Sequence, residues 1–443
     1  MKKTMLAIFV LLSTTSFAQK IKPVLPVPTK EHLVWHEKEF YLFIHFGPNT
    51  FTDKEWGDGK EDPTVFAPTQ LDCNQWVRVA KLAGAKGIIL TAKHHDGFSL
   101  WPSKYSTHTV RESKWLEGKG DVVRMLSDAC KKGGLEMGVY ISPWDRNHPD
   151  YGTPKYNDIY IATMKELLTG YGKFFELWWD GANGEGPNGK TQVYDFKRFQ
   201  DSALAYQPHL MIFSDIGPHI RWIGNEQGII NETNWNLLDT AGFKRGAGGP
   251  PTDSLNRGNY NGKAWIPGEA DVSIRKGWFY HEEEDKTVKS GKQLFDLYLK
   301  NVGRGGNFLL NVPPNRQGLF APADSTALMD FKKIKDAAFK NNLFKNARIL
   351  RTNNSIEVHL KEAVEINAIQ LMEAISMGQR VVTFEISGGN DVKKFEIFAK
   401  GTTIGHKRII TFPKQKLKYF RIHITESKAT PIISEVSGYL FAN

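Results

Sequence analysis

The octapeptide Phe174-Phe175-Glu176-Leu177-Trp178-Trp179-Asp180-Gly181 constrains the fold more than any other segment. An apolar, aromatic run of this length between helix-patterned stretches reads as a buried parallel strand. It ends in one carboxylate and a glycine, and in parallel α/β architectures chemistry sits at the carboxyl ends of the strands. Asp180 beside two indoles offers aromatic surface for a ring and a charge to react with it. The plain structural alternative is a packed Trp pair followed by an Asp that starts a turn.

Seven further runs alternate with helical patterns over the first three quarters of the 443 residues. The strands expected are 41–46, 87–92, 136–142, 174–180, 210–215, 228–232, 264–268 and 308–312. Helical patterns over 73–82, 122–132, 159–169, 196–207 and 291–301 fall between several of them. Eight strands in this order fit a (β/α)8 TIM-like barrel. From Ala347 onward the pattern changes to short alternating strands broken by turns such as Gly388-Gly389-Asn390, as in a C-terminal antiparallel β-sandwich. The expected division is 1–19, 20–343 for the barrel and 344–443 for the sandwich.

Residues 1–19, MKKTMLAIFVLLSTTSFAQ, carry two lysines, an apolar stretch and Ser-Phe-Ala before Gln19. That pattern predicts a secretory signal peptide, too short to span a membrane, and an exported, periplasmic or secreted protein. No Cys follows the stretch, so no lipid anchor is expected. Cys73 and Cys130 are the only cysteines. They permit one disulfide but read better as two small buried residues, and they exclude a thiolate zinc site. The formal charge is +10 and the pI near 9.2, yet lysines are interleaved with acids and no nucleic-acid-binding fingerprint is present. Solvated surface is the reading; the 12 tryptophans weigh more, because indole faces suit sugar rings.

The strand ends collect polar groups. Strand one ends Ile44-His45-Phe46-Gly47, strand two Lys93-His94-His95-Asp96-Gly97, and strand three Tyr140-Ile141-Ser142-Pro143-Trp144-Asp145. The loop assigned after strand five reads Arg221-Trp222-Ile223-Gly224-Asn225-Glu226. Consecutive strand residues face opposite sides, so His94 and His95 cannot both ligate one ion without a local twist, and no HExxH or facial-triad spacing occurs. No metal and no cofactor is expected. Gly303-Arg304-Gly305-Gly306 precedes a strand rather than following one, so it is not a dinucleotide loop, and no Gly-x-Ser-x-Gly elbow is present. Two carboxylates on a rim lined with Trp and His point to glycoside hydrolysis.

Together, Ile44-His45-Phe46-Gly47, Lys93-His94-His95-Asp96-Gly97-Phe98 and Trp178-Trp179-Asp180-Gly181 resemble glycoside hydrolase family 29, the retaining α-L-fucosidases. The resemblance implies Asp180 as nucleophile. In the branch selective for α-1,3/1,4-linked fucose the acid/base lies in a Gly-Asn-Glu context some 45 residues later, which Gly224-Asn225-Glu226 matches. The broad-specificity branch instead carries Trp-Glu-x-Cys near strand seven, where this chain reads Trp265-Ile266-Pro267-Gly268-Glu269-Ala270-Asp271. By the same resemblance His45, His94, His95, Tyr140 and Trp178 would bind fucose, with Trp56 and Arg221 as wall residues. Asn234, Trp235, Glu269, Asp271 and Trp278 are candidates for a surface that holds the neighbouring galactose of a branched, Lewis-type glycan. The expected partners are fucosylated oligosaccharides or glycoconjugates. Two rival readings remain at this level: a non-catalytic carbohydrate-binding protein, and a retaining glycosidase for another sugar.

Overall fold

In the computed structural model, residues 21–246 and 249–442 are described; the signal-like stretch 1–19 lies outside them. Eight parallel strands close a barrel: Phe40–Ile44, Gly87–Lys93, Glu136–Ile141, Phe174–Trp178, Met211–Ser214, Ile220–Trp222, Gly268–Ser273 and Asn307–Asn311. Each pairs with its neighbour in sequence, and the first closes on the last. The lumen is packed with Tyr41, Phe43, Ile89, Tyr140, Trp178, Phe213, Ile220 and Leu309. Helices Cys73–Ala83, Val122–Gly133, Pro154–Gly170, Phe196–Tyr206, Gly291–Asn301 and Pro322–Phe339 cover the outside. Asp72, Asp121 and Asp195 cap three of them by accepting first-turn backbone N–H groups. Alternation along strand four sets the site: Trp178 faces the lumen, while fully buried Trp179 packs against Phe196 and Phe199 of the helix outside.

Strands six and seven differ from the expected 228–232 and 264–268. Strand six is the three-residue Ile220–Trp222, reached from strand five without an intervening helix. Glu226 therefore follows strand six rather than five. A long excursion then carries the small helix Thr252–Arg257 and the two-residue antiparallel pair of Leu237–Leu238 with Ala264–Trp265, outside the barrel. Strand seven is Gly268–Ser273. Its Glu269 bonds lumen residues, while Ala270 and Val272 join apolar clusters on the other side. Acid residues on an inward face are the reverse of the usual apolar pattern.

The C-terminal part is an antiparallel sheet of Arg348–Arg351, Ser355–Glu373, Val381–Asp391, Lys394–Thr402, Arg408–Ser427 and Ile433–Tyr439. Its two long strands pair with each other through register shifts near 359–368, so one continuous ladder takes the place of several short strands. The core holds Val358, Ile366, Leu371, Phe384, Phe420 and Ile422.

Candidate active site

A cavity of about 660 Å³ opens at the carboxyl ends of the strands. Its lining includes His45, Trp56, His94, His95, Tyr140, Trp178, Asp180, Glu226, Asp271 and Trp278, all named from the sequence. Strand two ends at Lys93, so strand alternation no longer separates His94 from His95: their rings lie 4.2 Å apart and both face the cavity.

Asp180 lies two residues beyond Trp178, the last residue of strand four. Its Oδ2 accepts the Tyr140 hydroxyl at 2.9 Å, and its Oδ1 accepts the Ala182 backbone N–H at 2.8 Å. His95 Nε2 stands 3.6 Å from the same Oδ2. Two donors and a ring nitrogen orient the carboxylate without covering it. Glu226, on the rim, accepts the Trp278 indole N–H at 3.3 Å. Partial burial, aided by the negative charges of Asp180 and Glu55, raises its pKa although the indole opposes this. Glu226 is thus biased toward its protonated form, while Asp180 is oriented by its hydrogen bonds.

The histidines are neutral. Burial pushes His45 down to about 4, His94 well below the usual imidazole range, and His95 down against the attraction of Asp180. Asn311 sets the tautomer of His45. Its Nδ2 donates to Ser273 Oγ and the Trp278 carbonyl, so its Oδ1 accepts the His45 Nδ1–H at 2.8 Å. Nε2 is then the lone-pair nitrogen, an acceptor for a hydroxyl. His94 Nδ1 and Asp271 Oδ1 are buried without protein partners. Burial first, then the charges of Glu226, Glu269 and Asp180, pushes the Asp271 pKa well above the usual carboxylate range. Both groups suit sugar hydroxyls.

Trp278 is fixed by Glu55, whose carboxylate accepts the backbone N–H groups of Trp278 and Phe279 and bonds His281 Nε2. The indole lies 5.1 Å from the His45 ring. Trp56 is half exposed and packs edge-on against His95 and Trp144.

Four expected contact residues lie elsewhere. Arg221 is fully buried, and its guanidinium donates to the carbonyls of Leu255, Ile266 and Trp235 and to Asn234 Oδ1. It ties down the excursion after strand six and does not line the cavity. Glu269 lies inside the barrel, where Trp178 Nε1 and the Tyr41 hydroxyl donate to it. Asn234 and Trp235 are also off the cavity: Asn234 bonds Thr403, Arg304 and Gln379, and Lys428 sits over Trp235. Sequence reasoning passed over Asn183, Asp215, Trp222 and Thr252, which line the wall after strands four to six. Asp215 ends an expected strand with a carboxylate, as Asp180 does, and that was its signal. Cys73 and Cys130 are buried free thiols. Among the described residues no three His, Cys, Asp or Glu side chains form a group suited to a metal ion.

A parallel barrel whose carboxyl-end rim brings two carboxyls, Asp180 and Glu226, into one cavity walled by indoles and imidazoles defines a glycoside hydrolase. The α-L-fucosidase family profile matches residues 53–333. The chain is 39% identical to Alpha-L-fucosidase 1 of Arabidopsis thaliana, over 94% of this chain and 88% of that protein. It superposes with a TM-score of 0.89 on a glycoside hydrolase 29 family member from an unknown rumen bacterium, at 41% identity over 95% of this chain and 78% of the other. A Ruminococcus gnavus GH29 fucosidase solved in complex with fucose gives a TM-score of 0.86 at 29% identity, over 97% and 98% of the two chains. The chain belongs to the α-L-fucosidases of glycoside hydrolase family 29. The non-catalytic reading falls away with that.

Proposed function

We propose that the enzyme removes terminal α-1,3/1,4-linked fucose from branched, Lewis-type glycans by double displacement. Asp180 attacks the anomeric carbon while Glu226 protonates the departing glycosidic oxygen. Glu226 then takes a proton from the water that releases fucose from Asp180. The observation that carries this reading is that Asp180, anchored by Tyr140 and Ala182, and Glu226, whose pKa is raised, line the same cavity. His45, His94, His95 and Asp271 are the hydroxyl partners, and Trp178 and Trp278 the apolar faces.

The linkage preference is supported by the Gly224-Asn225-Glu226 context and by a second wall beyond the carboxyls. Asn183, Asp215, Trp222 and Thr252 supply polar groups and an indole for a galactose ring. Contacts there are remote from the breaking bond and can orient the fucose, so substrates lacking galactose lose kcat as well as affinity. Lewis-type trisaccharides are therefore cleaved far faster than α-1,2-fucosyllactose or aryl fucosides, with α-fucose as the first-formed anomer by NMR. Comparable kcat/KM on all three substrates overturns the linkage assignment; β-fucose as first product overturns the mechanism. Export rests on Met1–Gln19 and is checked by N-terminal sequencing of the protein recovered outside the cytoplasm.

A further inference from the structure

Below the site, two glutamates meet inside the barrel. Glu176 precedes Trp178 by two residues on strand four, Glu269 lies on strand seven, and both are fully buried. Glu269 accepts two good donors: Trp178 Nε1–H to Oε1 at 2.9 Å, and the Tyr41 hydroxyl to Oε2. Glu176 is poorer. Trp35 Nε1–H donates to its Oε2 at 3.0 Å, Tyr41 stands 3.4 Å away, and Oε1 has no protein partner. Among the described residues no cation pairs with either carboxyl, so two bare carboxylates are disfavoured here and the pair holds one proton. The donor inventory says where. Glu269 is surrounded by N–H and O–H groups that suit an anion, whereas the unpartnered Glu176 Oε1 suits a hydroxyl. Burial raises both groups, and the charge on Glu269 raises Glu176 further.

The anion is joined to the site by one side chain. The Trp178 indole lines the cavity, stacks on Phe213 at 3.9 Å, and lies 5.3 Å from Tyr140, the residue that donates to Asp180. We propose that Glu176 and Glu269 form a one-proton carboxyl pair whose negative charge, on Glu269, fixes and polarises Trp178 as an electron-rich platform for the cationic sugar of the transition state. Both glutamates are positioning residues acting through the indole. A carboxylate on the indole N–H enriches the ring face, and an oxocarbenium-like centre gains more from that face than the neutral ground-state sugar does. The inference rests on this cavity being the fucosidase site.

The test uses the full-length enzyme with Glu269→Gln and, separately, Glu176→Gln, on any fucoside the wild type cleaves. Glu269→Gln keeps an oxygen for the indole but removes the charge; it should lower kcat by about thirtyfold with KM changed less than about threefold. The indole N–H resonance of Trp178 should move upfield in that variant alone. Glu176→Gln should cost less than about threefold in kcat and delete one protonated-carboxyl stretch from the infrared difference spectrum. Equal kcat losses in the two variants, an unchanged kcat in Glu269→Gln, or a band deleted by Glu269→Gln instead of Glu176→Gln overturns the proposal. If Glu269→Gln does not fold, the infrared result on Glu176→Gln still decides it. An active Asp180→Ala enzyme would overturn the nucleophile assignment and leave this one standing.

Discussion

Asp180 stands at the end of a strand with a tyrosine hydroxyl and a backbone N–H on its two oxygens. Replacing it with Ala removes the covalent step, so turnover should fall by several orders of magnitude, with partial rescue by azide. Residual activity within about tenfold of wild type would remove Asp180 from the mechanism. As the proposed acid/base, Glu226 sets the alkaline limb. Activity needs it protonated when substrate binds, so kcat/KM falls as pH rises through its raised pKa. The Trp278 indole N–H favours the carboxylate and holds that pKa down. In Trp278→Phe the pKa therefore rises further, and the alkaline limb moves to higher pH. A pH–rate profile with the limb unmoved or moved downward would show that another group controls it. Asp180, His94 and His95 were legible as polar residues interrupting apolar strand ends. The raised pKa of Asp271 was not, because it comes from burial and from Asp180 and Glu226, which other strand ends bring beside it, together with Glu269 of its own strand.

At the scale of elements, strand six carries the largest departure from expectation. Three residues are too few to show a hydrophobic period, and one of them is Arg221. Arg221 belongs inside because the excursion that follows turns four acceptors toward it, an arrangement sequence spacing cannot reveal. Burial pulls its pKa down to about 9, still charged at neutral pH. Arg221→Met strands four buried neutral acceptors and should cost about 3–5 kcal/mol, against about 1–3 kcal/mol for one unsatisfied group. Urea unfolding measures this, and a loss below about 1 kcal/mol would mean that water replaces the guanidinium. Strand seven was missed for the opposite reason: its lumen face carries Glu269, Asp271 and Ser273, so the apolar signal shifted to Ala264–Ile266 just upstream. The regular helices matched closely because 3.6-residue periodicity and aspartate caps are local properties.

Across the whole molecule, the C-terminal sheet braces the loops that follow strand six. Gln379 is buried, its Oε1 accepting the Asn236 N–H at 2.8 Å and its Nε2 donating to the Asn234 carbonyl at 2.9 Å. Thr403 and Lys407 reach Asn234 and Glu39 of the barrel side. Gln379→Ala leaves two buried backbone groups unpaired and should cost about 2–4 kcal/mol, lowering the Tm of one cooperative transition. Separate barrel and sheet transitions in calorimetry would contradict that coupling.

Local patterns carried much of this protein. Buried parallel strands announce themselves as unbroken apolar runs, helices as amphipathic periods with caps, and a hydrolase rim as carboxylates, imidazoles and indoles gathered at strand ends. Such features depend on a few neighbouring residues and survive as sequence motifs. The tertiary structure decided the rest: which acids keep their protons, that Arg221 and Glu269 support the site from behind, and that Asn183 and Asp215 share its wall. Those outcomes depend on distance and burial, which arise only when segments far apart in the chain close the barrel and exclude water between them.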